Sequence, residues 1–197
     1  MDRKLARLFI YEVYYRKIMS HKELREMKYG MEVVFNELNK TLILLLIFAI
    51  LNKLNYFLFS FAILSTIRCF SGGLHFKTNL SCLLFSIVFF TVTSYYSVYL
   101  PVELLQYRHL VLMLSAGVIG VISPITSSNR PIKSKRKRRR LKFTAVLFTM
   151  FWVYVILFEL QDPSIIKCGV ITIALQASQL TIGYALDSAR NITGAPR

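Results

Sequence analysis

The chain has 197 residues, 55% of them hydrophobic, and carries a formal net charge of +15. A mean hydropathy of +0.50 is too high for an ordinary soluble domain, and several apolar runs of spanning length exclude a simple basic nucleic-acid binder. Apolarity combined with excess Lys and Arg is the signature of a polytopic membrane protein with basic cytoplasmic segments. Three scattered cysteines make no disulfide framework, and the charged first forty residues hold no cleavable signal-peptide core.

Residues 1–28 carry eight Lys/Arg, with Leu5, Leu8, Phe9 and Val13, and again Tyr11, Tyr15 and Ile18, near helical spacing. The segment reads equally as an amphipathic helix on an anionic membrane surface and as a soluble cap helix. Lys28-Tyr29-Gly30-Met31-Glu32 leads into a helix of mixed polarity, so 1–40 is read as a cytoplasmic N-terminal region. Residues 41–67 are apolar but broken by Asn52-Lys53-Leu54-Asn55. Each half, 41–51 and 56–67, is short for a hydrocarbon core of about 30 Å. A single long helix would instead hold Lys53 near mid-membrane, which is costly. The expectation is a short helical hairpin turning at the polar break.

Residues 68–82 (RCFSGGLHFKTNLSC) are the one place where reactive side chains gather between apolar runs. His75 and Cys82 are seven residues apart, about two turns, so a continuous helix would put both on one face, and a bend would bring them closer. A free thiol is mostly protonated at neutral pH and needs a base to become a nucleophile, and imidazole is the usual base. The bland reading is that Cys82 is a small buried hydrophobe before an apolar run. Cys69, His75 and Cys82 make a metal site less expected still, since no CxxC pair or carboxylate joins them. No cofactor is expected.

Residues 83–100 and 105–125 form the next two spans. Residues 126–142 hold nine Lys/Arg, and 143–160 form another span. Gln161-Asp162-Pro163 makes a turn before a last span at 165–186. The expected fold is all-α: one integral membrane domain over 1–197 with about six transmembrane helices. With 1–40 in the cytoplasm and a crossing at each apolar segment, 68–82, 126–142 and 187–197 also lie inside. Of the 25 Lys/Arg, only Lys53, Arg108 and Lys167 then fall near the outer face, as the positive-inside rule prefers. Taking 41–67 as one span would force the 126–142 cluster outside. That cluster also reads as a nucleic-acid or localisation segment. Between two spans its ordinary role is to fix topology and bind anionic lipid, and it would steer an acidic peptide toward the membrane.

The pattern Arg68-x-x-Ser71-Gly72-Gly73-x-His75-x-Lys77-x-x-x-x-Cys82 resembles the accessory gene regulator protein B (AgrB) family of Gram-positive bacteria. Tyr29-Gly30-Met31-Glu32 and Asn129-Arg130-Pro131-Ile132 extend the likeness, as do length and span layout, over nearly the whole chain. The resemblance implies a membrane-embedded cysteine endopeptidase in the bacterial cell membrane. Such a protein removes the C-terminal tail of a short AgrD-like precursor and leaves a cyclic thiolactone or lactone for quorum sensing. It maps the nucleophile onto Cys82, the histidine onto His75, a functional arginine onto Arg68, a glycine onto Gly73 and a basic residue onto Lys28. It further implies a homodimer. Within the motif, Gly72 and Gly73 would let backbone N–H groups approach an oxyanion. Arg68 or Lys77 would bind an acidic tail, and Asn79 would either orient His75 or cap a helix. The competing reading is a non-enzymatic scaffold or exporter component for a signalling peptide, with His75 and Cys82 merely packing.

Overall fold

The computed structural model describes residues 21–74, 78–125 and 134–193, and all their regular structure is helical. The chain divides into two units, Met1–Leu51 and Asn52–Arg197. The described part of the first is α1, His21–Ile50. Lys40 Nζ meets Glu37 Oε1 at 2.6 Å and the Thr41 hydroxyl donates to the Glu37 carbonyl at 2.9 Å. These local bonds hold the polar middle of the helix ahead of its apolar end. Residues 41–50 are therefore the C-terminal end of a 30-residue helix, not a separate short one. The helix stops before Asn52, whose φ of +52° is a left-handed conformation that asparagine tolerates better than most residues. Of the N-terminal amphipathic segment, residues 1–20 lie outside the described residues.

The second unit is a bundle of five helices: α2, Leu54–Ser71; α3, Asn79–Tyr99; α4, Val102–Ile122; α5, Lys135–Glu159; and α6, Pro163–Thr193. Among the described residues these five are long and apolar enough to cross a membrane, α6 over Pro163–Ala189. The protein is thus an all-α, multi-pass membrane protein. α3 is π-helical over Thr91–Tyr96 and α5 over Val155–Glu159, while α4 opens with a 3₁₀ turn over Val102–Tyr107. α5 begins inside the basic run, at Lys135 rather than at Phe143. Ser134 caps it by accepting from the Lys137 N–H, and Lys and Arg are good helix formers, so the run from 135 to 142 is helix rather than loop.

Helical spacing decides what is buried. On α5, Ala145, Thr149, Val153 and Ile156 face the interior, while Phe143, Leu147, Met150, Tyr154 and Phe158 are exposed. Steps of three and four residues put each set on its own face. An exposed apolar face of that extent is one that lipid tails cover. The shared core joins Ile63 and Ile67 of α2, Leu112 and Ile119 of α4, Val153 and Ile156 of α5, and Ile173 and Leu180 of α6. Gly169 lets α6 come close: a Cβ there would lie 2.8 Å from Ile156 Cδ1 and 3.1 Å from Phe59 Cε1. Small residues at such crossings are how helices pack where no hydrophobic force separates them from lipid.

Hydroxyls complete the joins. Ser60 Oγ bonds Thr93 and Thr172 at 2.9 Å each, tying α2 to α3 and α6. The Trp152 indole donates to Thr66 Oγ1 at 2.8 Å. Lys142 of α5 donates to the Val121 carbonyl at the end of α4, at 3.3 Å, where a helix dipole favours a cation.

Candidate active site

α2 ends where Gly72 takes φ +79° and ψ −159°, a region open essentially only to glycine. A Cβ at Gly72 would fall onto the carbonyl oxygen of Ile125. The Gly72 N–H closes the helix by donating to the Arg68 carbonyl at 3.0 Å. The Gly72 N–H is thus committed to the helix end.

Three elements hold the chain where α2 ends, over Ser71–Leu74. From α6, Gln176 donates to Ser71 Oγ and to the Gly72 carbonyl, both at 3.1 Å. From the segment after α4, the Ile125 N–H donates to the Ser71 carbonyl at 3.0 Å. From α2 itself, the Arg68 guanidinium turns back and donates to the Leu74 carbonyl at 2.9 Å, with a longer contact of 3.5 Å to Gln179 Oε1. Gly73 is buried against it, and a Cβ there would come 3.2 Å from Arg68 Nε. Leu74 and Ile125 lie together over Gly183 of α6. Arg68 thus braces the backbone of its own motif, an internal role that the sequence reading, which aimed it at a substrate tail, did not foresee.

His75 and Lys77 lie outside the described residues. The two helices are separate elements: α2 stops at Ser71 and α3 starts at Asn79. Thr78 caps α3, its backbone extended and its hydroxyl accepting from the Ser81 N–H at 3.2 Å. Asn79 is the first helical residue and is exposed, so the capping role weighed for it belongs to Thr78. Cys82 is half-buried at the end of the first turn, and its N–H donates to the Thr78 carbonyl at 3.2 Å. On the described residues, the diglycine closes α2 and Thr78 opens the capped helix that bears the thiol.

The other cysteines stand apart. Cys69 is exposed on the last turn of α2. Cys168 is buried in α6, with its thiol donating to the Tyr56 carbonyl at 3.5 Å. Lys28 lies on α1, in the other unit.

Sequence reasoning missed Gln176, Gln179, Thr78 and the backbone of Ile125. A signal existed for the glutamines: two amides three residues apart in an apolar span share a face, and polar side chains in a span turn inward. Gln176 Oε1, Gln179 Nε2 and Ser123 Oγ are buried without a hydrogen-bond partner among the described residues.

The sequence model of one family, Accessory gene regulator B, matches residues 4–180. The chain belongs to the accessory gene regulator B family. An AgrB-like protein of Clostridium beijerinckii is 30% identical over 164 residues, covering 83% of this chain and 80% of its own. The accessory gene regulator protein B of Staphylococcus saprophyticus is 25% identical over 169 residues, covering 85% and 88%. No solved structure matches the chain. Membership ties this AgrB-family protein to the processing of an AgrD-type precursor peptide in quorum sensing.

Proposed function

We propose that this AgrB-family protein is a cysteine endopeptidase that cuts the C-terminal tail from an AgrD-like precursor and promotes closure of the remaining peptide into a thiolactone or lactone. The observation that carries the reading is the bracing of the two helix ends that flank the motif. Gln176, Arg68 and Ile125 fix the backbone at the exit of α2, and Thr78 fixes the turn of α3 that bears Cys82. A site held from both sides is what positioned nucleophilic chemistry requires.

In this reading His75 takes the Cys82 proton, and the thiolate attacks the scissile carbonyl. The developing oxyanion is met by the Gly73 N–H. The tail leaves as an amine after receiving the proton from His75, and the peptide remains on Cys82 as a thioester. A Cys or Ser side chain within the peptide then attacks that thioester, its proton passing to the Cys82 sulfur through His75. With an internal Cys the exchange trades one thioester for another, so ring closure competes with hydrolysis where water is kept away. Lys77 would hold the acidic tail.

Six crossings are proposed, the first by the apolar end of α1, with both chain ends and the site at the cytoplasmic face of the bacterial cell membrane. The basic segments would lie on anionic lipid, and the working form is a homodimer that does not engage nucleic acid.

The test is co-production with the cognate precursor and mass measurement of the products. Cys82→Ala and His75→Ala each lose tail removal while the precursor still co-purifies, since the two act as one unit. The loss for His75→Ala is at least the roughly 10²–10⁴-fold a general base supplies. Cys69→Ala processes normally. Cleavage by Cys82→Ala at an appreciable rate would return the protein to the scaffold reading.

A further inference from the structure

Gln176 lies near the middle of α6 and is fully buried. Its amide nitrogen meets two acceptors at the end of α2, Ser71 Oγ and the Gly72 carbonyl, each at 3.1 Å. The Ser71 hydroxyl, also buried, donates to the same carbonyl at 3.2 Å. A carbonyl only accepts, so the nitrogen of the Gln176 amide and not its oxygen must face Gly72. That fixes the orientation of the amide, and it leaves Oε1 buried with no hydrogen-bond partner among the described residues.

A buried amide oxygen without a partner destabilises a fold. A methionine of nearly the same length would fill the position without that penalty. The unsatisfied oxygen therefore points to a use for the other half of the amide. The Gly72 carbonyl is the informative partner. It belongs to the same planar peptide unit as the Gly73 N–H, and because that peptide is trans the two point in opposite directions. A glycine torsion stands on each side of the unit, the ψ of Gly72, at −159°, and the φ of Gly73. With no Cβ on either side, little in the backbone itself keeps the unit from turning over. Its orientation then depends on what holds the carbonyl, which is Gln176 together with Ser71.

We propose that Gln176 is a positioning residue for tail removal: by holding the Gly72 carbonyl it sets the Gly72–Gly73 peptide unit and so aims the Gly73 N–H. This rests on the endopeptidase reading above, in which that N–H meets the oxyanion formed when Cys82 attacks. Gln176 bonds the backbone of the motif rather than a reacting group, so its contribution is an orientation imposed from α6 on the end of α2.

The test compares Gln176→Met with its parent in the full chain carrying Cys69→Ala, with the cognate precursor as substrate. Three readouts separate positioning from folding: the melting temperature, kcat and KM for tail removal, and the rate at which iodoacetamide alkylates Cys82. Alkylation displaces iodide from a saturated carbon, so the thiolate reacts without any oxyanion forming. Gln176→Met melts at or above the parent temperature, keeps KM and the alkylation rate, and loses at least about tenfold in kcat, toward the roughly 10²–10³-fold that loss of an oxyanion donor costs. Ser71→Ala removes the second hold on the same carbonyl and shows the same pattern with a smaller loss, which decides the matter if Gln176→Met does not fold. An unchanged kcat in Gln176→Met, alongside an inactive Cys82→Ala, overturns the proposal and leaves the endopeptidase reading standing. Melting and alkylation that fall together with kcat overturn it too, since Gln176 would then be holding the fold rather than one peptide unit. Cleavage by Cys82→Ala removes the endopeptidase reading and this proposal with it.

Discussion

At the residue scale the two glycines of the motif do different work. Gly72 is required by its backbone and by the Ile125 carbonyl where a Cβ would stand. Gly73 is required by contact with the Arg68 side chain, which has some freedom to move. Gly72→Ala should therefore reduce folded protein, costing about 1–3 kcal/mol for the backbone conformation alone before the clash with Ile125. Gly73→Ala should leave protein levels closer to wild type and lower processing by displacing the guanidinium. Thermal melting and precursor processing, measured on both variants, separate the two. Equal melting temperatures would contradict the assignment of Gly72 to the helix end. Arg68 belongs to the same logic: its bond to the Leu74 carbonyl makes it a positioning residue for the chain where α2 ends.

At the element scale the decisive feature is the start of α3. Thr78 caps the helix whose first turn presents Cys82, so loss of the cap should loosen the thiol along with the turn. Thr78→Ala should cost about 1 kcal/mol and lower processing, and Thr78→Asp, an equally good cap, should restore it. If Thr78→Asp processed as poorly as Thr78→Ala, the threonine would be acting through something other than the cap.

The sequence made part of this visible. Asn52-Lys53 marked the end of one helix and the start of the next because polar turn residues interrupt an apolar run. The spans of α4 and α6 followed from their lengths of apolar sequence. The beginnings of α3 and α5 did not, because caps and good helix formers extend a helix past its apolar part. That is how Cys82 came to lie inside a helix read as starting at residue 83, and Lys135 inside a stretch read as loop. The π-helical turns at Thr91–Tyr96 and Val155–Glu159 leave no mark in composition. The choice between Thr78 and Asn79 as cap rests on one backbone conformation that two adjacent polar residues leave undecided.

At the scale of the whole molecule, a basic, apolar bundle carries the described residues of its motif where α2 ends and α3 begins. The proposed orientation puts the motif and the basic start of α5 on the cytoplasmic side. A single cysteine introduced at Lys135 in an otherwise cysteine-free chain should be labelled by a membrane-impermeant thiol reagent in opened membranes and not in intact cells. Strong labelling in intact cells would invert the orientation. The family places the protein in precursor processing, and the proposed mechanism puts the covalent chemistry on Cys82. The most direct test of that claim is to trap the acyl-enzyme. A precursor whose internal Cys or Ser is replaced by Ala cannot close its ring, so it should accumulate as an adduct on Cys82 or be released slowly as a linear peptide. Intact-protein mass spectrometry should then find a hydroxylamine-sensitive adduct mapping to the Cys82 peptide, absent from Cys82→Ala. Tail removal that proceeds without any adduct on Cys82, and persists in Cys82→Ala, would contradict the account.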